Sequence, residues 1–205
     1  QIELMVLAIL SNDKAMLRAF ENHEDLHAIA AAAVFEVSLE EVTSDMRSVG
    51  KSINFGVSYG SQGASLEKFG FSREQIMIFL RNYFSRFRGL ARYVKRIPLQ
   101  AERQGYLITP FGRKRRCRVL GDEMSRAQGR AMLNFPSQST AADIVRMAFN
   151  EQCKQVKKER LKAAPLNIVY DSLSWEVAEE HVDDMISILR ETLEKPIKEL
   201  GGYKF

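Results

Sequence analysis

The sequence predicts an α+β fold that is mostly helical, with a small antiparallel sheet. Apolar residues recur at helical spacing along most of the chain, as in the stripe Ile76, Phe79, Leu80, Tyr83. Helix starts and stops bracket such segments, with Ser38 three residues before Glu41 and Gly60 directly behind Tyr59. Two β-prone runs instead flank turn residues, one around Pro110-Phe111-Gly112 and one around Asp171-Ser172.

Taken in order, Gln1 to Leu10 is apolar at helical spacing through Ile2, Val6 and then Ile9 or Leu10. Helices follow at Leu17 to Phe20 and Leu26 to Phe35, the second rich in strong helix formers. Ser38 to Val42 reads as a capping box, and the central helix then runs to Tyr59. Ser65 to Phe69 is a short helix, Ser72 to Phe87 an amphipathic one, and Leu90 to Gln104 continues helical with Pro98 as a kink. Gly105 to Val119 is a β-hairpin. Met124 to Leu133 is helical, Asn134 to Gln138 interrupts it at Pro136, and a further helix follows from Ser139 to about Glu159. Leu166 to Tyr170 is a strand, Asp171-Ser172 its turn and Leu173 to Val177 the return strand. The last helix, Ala178 to about Lys195, is expected to bury Val182, Met185, Ile186 and Leu189, and Pro196 ends it.

At 205 residues the chain is long enough for one large domain or parts of two. It has no apolar run near the roughly 20 residues that span a bilayer and no signal-peptide pattern, so no membrane partner is expected. Cys117 and Cys153 lie far apart without metal-ligand spacing, which suits reduced thiols in an intracellular protein. The net charge of +4 is unevenly spread. Between Arg81 and Arg118 the only acid is Glu102, while Tyr83, Phe84, Phe87, Tyr93, Tyr106 and Phe111 interleave with the cations. Such a block serves either as a solvated face or as a surface for an anionic polymer, and its depletion of acids favours the polymer.

The most informative stretch is Arg47 to Gly60, RSVGKSINFGVSYG. Four residues of helix turn through roughly 400°, so Arg47, Lys51, Phe55 and Tyr59 share one face. Two cations lead and two aromatics follow, flanked by Ser48, Gly50, Ser52, Gly56 and Ser58. This face suits a ligand with a multiply charged anionic end and a flat apolar body, such as a nucleoside triphosphate. The same spacing also arises where a basic turn runs into two core aromatics.

R-x3-K-x3-F-x3-YG resembles the fingers helix, motif B, of the DNA polymerase I family, also called family A. Other segments resemble that family in the same order along nearly the whole chain. Gln1-Ile2-Glu3-Leu4 resembles the tail of motif A, with Met5 where the family has arginine. Asp25-Leu26-His27 resembles its D-[IL]-H. Gly105 to Lys114 resembles G-Y-x-x-T-x-x-G-R-R, with Lys114 in place of the second arginine. Arg130 to Ile144 resembles the palm helix R-x3-N-x-P-x-Q-x-[ST]-A-A-D-I. Val169 to Ser172 resembles motif C, V-H-D-E, with Tyr170 for histidine and Ser172 for glutamate.

The resemblance implies fingers and a partial palm of a right-hand polymerase: palm at 1–12, fingers at 13–120, and palm with the motif C hairpin at 121–205. It implies template-directed DNA synthesis by two-metal phosphoryl transfer, with primer–template DNA and dNTPs as partners. Gln1, Glu3, His27, Arg47, Lys51, Phe55 and Tyr59 would bind the nucleotide, with Glu3 disfavouring a 2′-hydroxyl and Lys51 also acting in catalysis. Arg130, Asn134, Gln138, Tyr170, Arg113 and Arg115 would meet DNA. Asp171 would hold Mg²⁺. The second aspartate stands three positions before Gln1, so an upstream segment or second polypeptide, also carrying the thumb, is expected. Rival readings are a polymerase-derived DNA-binding subunit without catalysis and a single-subunit RNA polymerase-like enzyme. Ser172 and Met5 lean toward the first, and Phe55 and Glu3 lean against the second.

Overall fold

The computed structural model describes residues 2–61, 63–117 and 125–204. The chain divides into two compact units, one built from Glu3–Ile108 and Lys114–Ser137, the other from Thr109–Arg113 and Gln138–Phe205. The first unit is helical: α1 (Ile2–Ser11), α2 (Lys14–Glu21), α3 (Leu26–Phe35), α4 (Ser44–Ser58), α5 (Arg73–Arg86) and α6 (Arg88–Gln104). The strands β1 (Tyr106–Ile108) and β2 (Lys114–Arg116) pair antiparallel, Leu107 opposite Arg115. The helix α7 (Arg126–Glu159) leads into the second unit, which adds β3 (Ala163–Val169), β4 (Ser172–Val177) and α8 (Val182–Leu193). Both hairpins expected from the sequence are present, as two separate two-stranded sheets among the described residues.

One buried carboxylate ties the start of the helical unit together. Asp13 caps α2 by accepting from the N–H groups of Ala15 and Met16, each at 3.1 Å, through Oδ1. Its Oδ2 accepts from Leu90 N–H at 2.9 Å, in the first turn of α6. Two positive helix ends thus share one buried acid, which helps offset the cost of removing it from water. The chain of α6 can come this close because residue 89 is glycine: a Cβ there would lie 2.6 Å from Asp13 Cα. Asp13→Ala is expected to cost about 2 kcal/mol or more in urea unfolding, because a buried donor left unmet costs about 1–3 kcal/mol and those of Met16 and Leu90 lose their acceptor.

The capping box at Ser38 forms, with Glu41 accepting from Ser38 N–H at 2.9 Å. It opens a separate 3₁₀ turn, Leu39–Glu41, rather than the central helix. Val42 is extended, and Thr43 starts α4 afresh by accepting from Met46 N–H at 3.3 Å. The glycines beside the α4 face also have packing roles. A Cβ on Gly50 would meet His27 carbonyl oxygen at 2.3 Å and Ala31 nitrogen at 2.8 Å, so Gly50 and the alanines of α3 let the two helices touch at backbone distance. Phe35, Phe71 and Phe79 close the far side of α3, with ring centroids 5.0 to 6.4 Å apart.

Pro136 does not break α7, contrary to the sequence expectation; the helix is continuous from Arg126 to Glu159. A proline inside a helix costs about 3 kcal/mol, and burial outweighs that here. Met132, Leu133 and Phe135 are buried before it, and Ala141, Ile144 and Val145 after it.

In the second unit the buried side of α8 is Met185, Ile188 and Thr192. Val182 and Ile186, expected inside, are exposed. A polar network sets this face. Trp175 Nε1–H donates to Gln152 Oε1 at 3.2 Å, Gln152 Nε2–H donates to Thr192 Oγ1 at 3.0 Å, and Thr192 O–H donates to Ile188 carbonyl at 2.8 Å. A fully buried glutamine with its bonds satisfied fixes one arrangement of α7, β4 and α8 where apolar packing alone would allow slippage. The chain end at Tyr203 bridges antiparallel to Ile197.

Candidate functional site

Arg47, Lys51 and Tyr59 are exposed and Phe55 half-buried along α4, while Val49, Ile53, Asn54 and Val57 are buried on its other side. Tyr59 is the C-cap of α4, and Gly60 turns the chain away at φ +66°. Phe55 and Tyr59 lie nearly parallel, their ring centroids 6.4 Å apart and 13° between planes. Tyr59 O–H donates to Glu3 Oε2 at 3.1 Å. The His27 ring sits 5.9 Å from that of Phe55. One patch of the helical unit thus gathers Glu3, His27, Arg47, Lys51, Phe55 and Tyr59. Beside it runs an open groove of about 470 Å³ lined by Lys51, Phe55, Tyr59, Ser61, Ser65 and Phe69. Gln1 lies outside the described residues.

Arg47 does not stand alone. Its Nε donates to Asp25 Oδ2 at 2.5 Å. Asp25 in turn caps α3, accepting from His27 N–H at 2.9 Å and Ala28 N–H at 3.3 Å. Burial raises the pKa of Asp25, and the Arg47 hydrogen bond and the two backbone bonds together outweigh it, so the net shift is downward. A bond through Nε is compatible with an anion on the two terminal nitrogens.

His27 is only 6% exposed. Burial pushes its pKa down, Asp25 pushes it up, and Arg47 and Lys51 push it down again, with a net fall. Asn54, fully buried on α4, reaches both His27 and the Leu26 carbonyl, and Tyr83 of α5 reaches Asn54. Asp25, Asn54 and Tyr83 are absent from the site as read from sequence. Asp25 carried a visible signal, an acid directly before a helix. Asn54 carried a weaker one, an amide on the apolar side of an amphipathic helix.

The β3–β4 hairpin carries Asp171. The turn is Tyr170-Asp171, not Asp171-Ser172: Val169 pairs with Ser172, which begins β4. Further along the ladder the register shifts between Pro165 and Asn167, where Leu166 is the extra residue. Proline offers no N–H to the ladder, which makes the bulge cheap there. In the turn Tyr170 has φ +56°, a conformation non-glycine residues rarely adopt, and is 92% exposed. Asp171 is exposed beside it. Its carboxylate is a hard oxygen donor of the kind Mg²⁺ takes, one or two at a time with substrate phosphates completing the shell. No three His, Cys, Asp or Glu side chains gather into a fuller cage among the described residues.

Of the residues expected to meet DNA, Arg130 and Gln138 are exposed on α7 and Asn134 is half-buried, its Oδ1 without a hydrogen-bond partner among the described residues. Arg115 lies on exposed β2, 5.7 Å from the Phe135 ring centroid. Arg113 has an internal partner that the sequence did not signal. Its Nε donates to Asp143 Oδ2 at 3.1 Å and its Nη2 to Asp143 Oδ1. That bond raises the Arg113 pKa above its already high ordinary value.

Residues 1–200 match the family described as DNA polymerase family A. The chain belongs to DNA polymerase family A. This family A chain is similar to DNA polymerase I of Bacillus caldotenax, 34% identical over 204 residues that make up 96% of this chain and 23% of that protein. It is 36% identical over 194 residues to DNA polymerase I of Pseudomonas aeruginosa, covering 93% of this chain and 21% of that one. Among solved structures it resembles the POL domain of Pol1 from M. smegmatis in complex with DNA primer-template and dNTP. The TM-score is 0.88 at 34% identity, over 95% of this chain and 35% of that one. The chain thus spans less than a quarter of the length of these curated relatives. No helix among the described residues is long and apolar enough to cross a membrane.

Proposed function

We propose that this chain is the fingers and part of the palm of a DNA-directed DNA polymerase. The whole protein would add deoxynucleotides to a primer 3′ end by two-metal phosphoryl transfer. The observation that carries this is the patch on α4: two cations, then two stacked aromatics, with Glu3 fixed against Tyr59. In this reading Arg47, Lys51 and His27 hold the triphosphate of a dNTP. Asp25 steadies Arg47 for that task. Phe55 packs on the sugar, and Tyr59 lies at the base. Glu3, anchored by the Tyr59 hydroxyl, occupies the space a 2′-hydroxyl would need, which favours deoxynucleotides over ribonucleotides. Gln1 belongs to the same group by resemblance.

Asp171 supplies one of the two carboxylates that the chemistry uses; the resemblance puts the other three positions before Gln1. Mg²⁺, when bound, supplies charge neutralisation around the transferring phosphoryl group. Lys51 gives a proton to the pyrophosphate as it leaves, being a cation on the face that meets the phosphates. Primer–template DNA lies against Arg130, Asn134 and Gln138, whose donors suit the acceptors every base pair shows in the minor groove. Arg115 and Arg113 meet phosphates, Arg113 with one edge of its fork held by Asp143. Tyr170, exposed next to Asp171, stands by to bond the primer end. On this reading the fingers take in residues 13–120 and the palm 1–12 and 121–205.

A second reading has one specific observation behind it. Ser172 offers a hydroxyl where the family pattern has a carboxylate, which suits a DNA-binding subunit that performs no chemistry. Primer extension by the full protein separates the two. With a primed template and Mg²⁺, extension with dNTPs and at least about 100-fold less with rNTPs is expected, in line with a site that rejects one extra hydroxyl sterically. DNA binding without extension establishes the subunit reading, and equal use of rNTPs removes the role given to Glu3.

A further inference from the structure

We propose that Asn54 is a positioning residue that locks His27 in its neutral, Nε2-protonated tautomer, so the ring offers the nucleotide's phosphates a hydrogen-bond donor and not a third positive charge. The proposal rests on the reading of His27 as a phosphate contact.

The hydrogen-bond directions follow from one atom that has no choice. The carbonyl oxygen of Leu26 can only accept, so the Asn54 atom 3.2 Å from it is Nδ2. The other amide atom is then Oδ1, and it must accept from the Tyr83 hydroxyl at 2.7 Å. Tyr83 keeps its proton for this, since complete burial, helped by the charge of Asp13, pushes its pKa far up. Asn54 Nδ2 also lies 3.0 Å from His27 Nδ1. An NH₂ group facing Nδ1 needs a lone pair there. A proton on Nδ1 would set one N–H against another inside a site closed to water. The ring's single proton is therefore on Nε2.

The charges around the ring agree with this direction. Asp25, at the start of α3, favours an imidazolium. Against it stand burial and the two cations of α4, Arg47 and Lys51. From α5 comes only the neutral phenol of Tyr83. A charged His27 beside Arg47 and Lys51 would also repel both before any nucleotide arrived. A neutral donor avoids this and gives a directional bond that does not change through the usual histidine range. Asn54 thus does through the tautomer what a direct phosphate contact would not: it makes triphosphate binding independent of the His27 charge.

The test is NMR on the full protein with ¹⁵N-labelled histidine, the His27 signals assigned by difference against His27→Gln. Expected are an unprotonated Nδ1 and a protonated Nε2, unchanged from pH 8 to below pH 6. In Asn54→Asp the carboxylate accepts from Nδ1–H, so a proton appears there and the titration midpoint of the ring rises by about one unit or more. The dATP dissociation constant then acquires a pH dependence beyond that of the triphosphate itself. A residue that merely fills space would move stability and leave the tautomer untouched. An Nδ1–H ring or an imidazolium at pH 7 in the unmodified protein overturns the proposal, whether or not the variant folds. Unchanged dATP affinity in His27→Ala, which removes the donor, overturns the reading of His27 as a phosphate contact. The two failures are distinguishable because the tautomer is read without nucleotide.

Discussion

Asp171→Ala is expected to abolish Mg²⁺-dependent primer extension by the full protein, with a fall of about 1,000-fold or more, equivalent to about 4 kcal/mol of lost transition-state stabilisation. The hairpin should survive the change. Asp171 is exposed in a two-residue turn, and the pairing that fixes the register, Val169 with Ser172 and Ile168 with Leu173, lies outside it. Exposed substitutions away from special backbone positions shift stability within about 0.5 kcal/mol, so thermal unfolding should be nearly unchanged. The strained position is Tyr170, at φ +56°, and it is left alone. Extension assayed over a range of Mg²⁺ concentrations checks the assignment. Lost activity that high Mg²⁺ restores would mean weakened affinity only. Activity retained at ordinary Mg²⁺ moves the metal site elsewhere. Ser172→Glu is the informative companion, since it returns the carboxylate that the family pattern has there.

Lys51→Ala is expected to lower the rate of nucleotide addition by about 100- to 10,000-fold, the range general acids contribute, while primer–template affinity stays nearly constant. Lys51 is exposed on α4, and alanine is the better helix former, so the helix itself should not suffer. Arginine at this position separates two roles. It keeps the positive charge but does not give up a proton near neutral pH. If Lys51→Arg recovers most of the rate, Lys51 acts by charge alone. If it stays slow while dNTP affinity recovers, proton donation is the missing part. A loss of DNA binding equal to the loss in rate would undo the role given to Lys51. Single-turnover kinetics with saturating dNTP, beside equilibrium binding of labelled primer–template, reads both quantities.

Much of the site was legible because its pattern is local. Arg47, Lys51, Phe55 and Tyr59 repeat at the helical interval, and a helix of that register must carry them on one side. What that side meets was not legible. Glu3 is fixed by Tyr59, 56 residues away, and Arg47 by Asp25, 22 residues away. Asp13 caps a helix 77 residues further on. Nothing in the neighbourhood of these residues names the partner. The hairpin turn was misplaced because Asp and Ser are both local turn formers, whereas the pairing of Val169 with Ser172 that fixes the turn at Tyr170-Asp171 belongs to the ladder. Pro136 misled for the opposite reason: the local rule was right about the cost but blind to the burial on either side.

The sequence by itself determined the helical character of the chain, the face of α4, the presence of both hairpins and, through its ordered motifs, the family. Spacing and composition suffice for these because each is set within a turn or two of backbone. Tertiary structure alone decided which residues the face is joined to. It put Asn54 against His27, Asp143 on Arg113 and Gln152 behind the hairpin, and it made Gly50 a point of helix contact. Buried polar groups must find partners wherever the fold brings donors and acceptors together, and that meeting place belongs to the packed molecule rather than to any one segment.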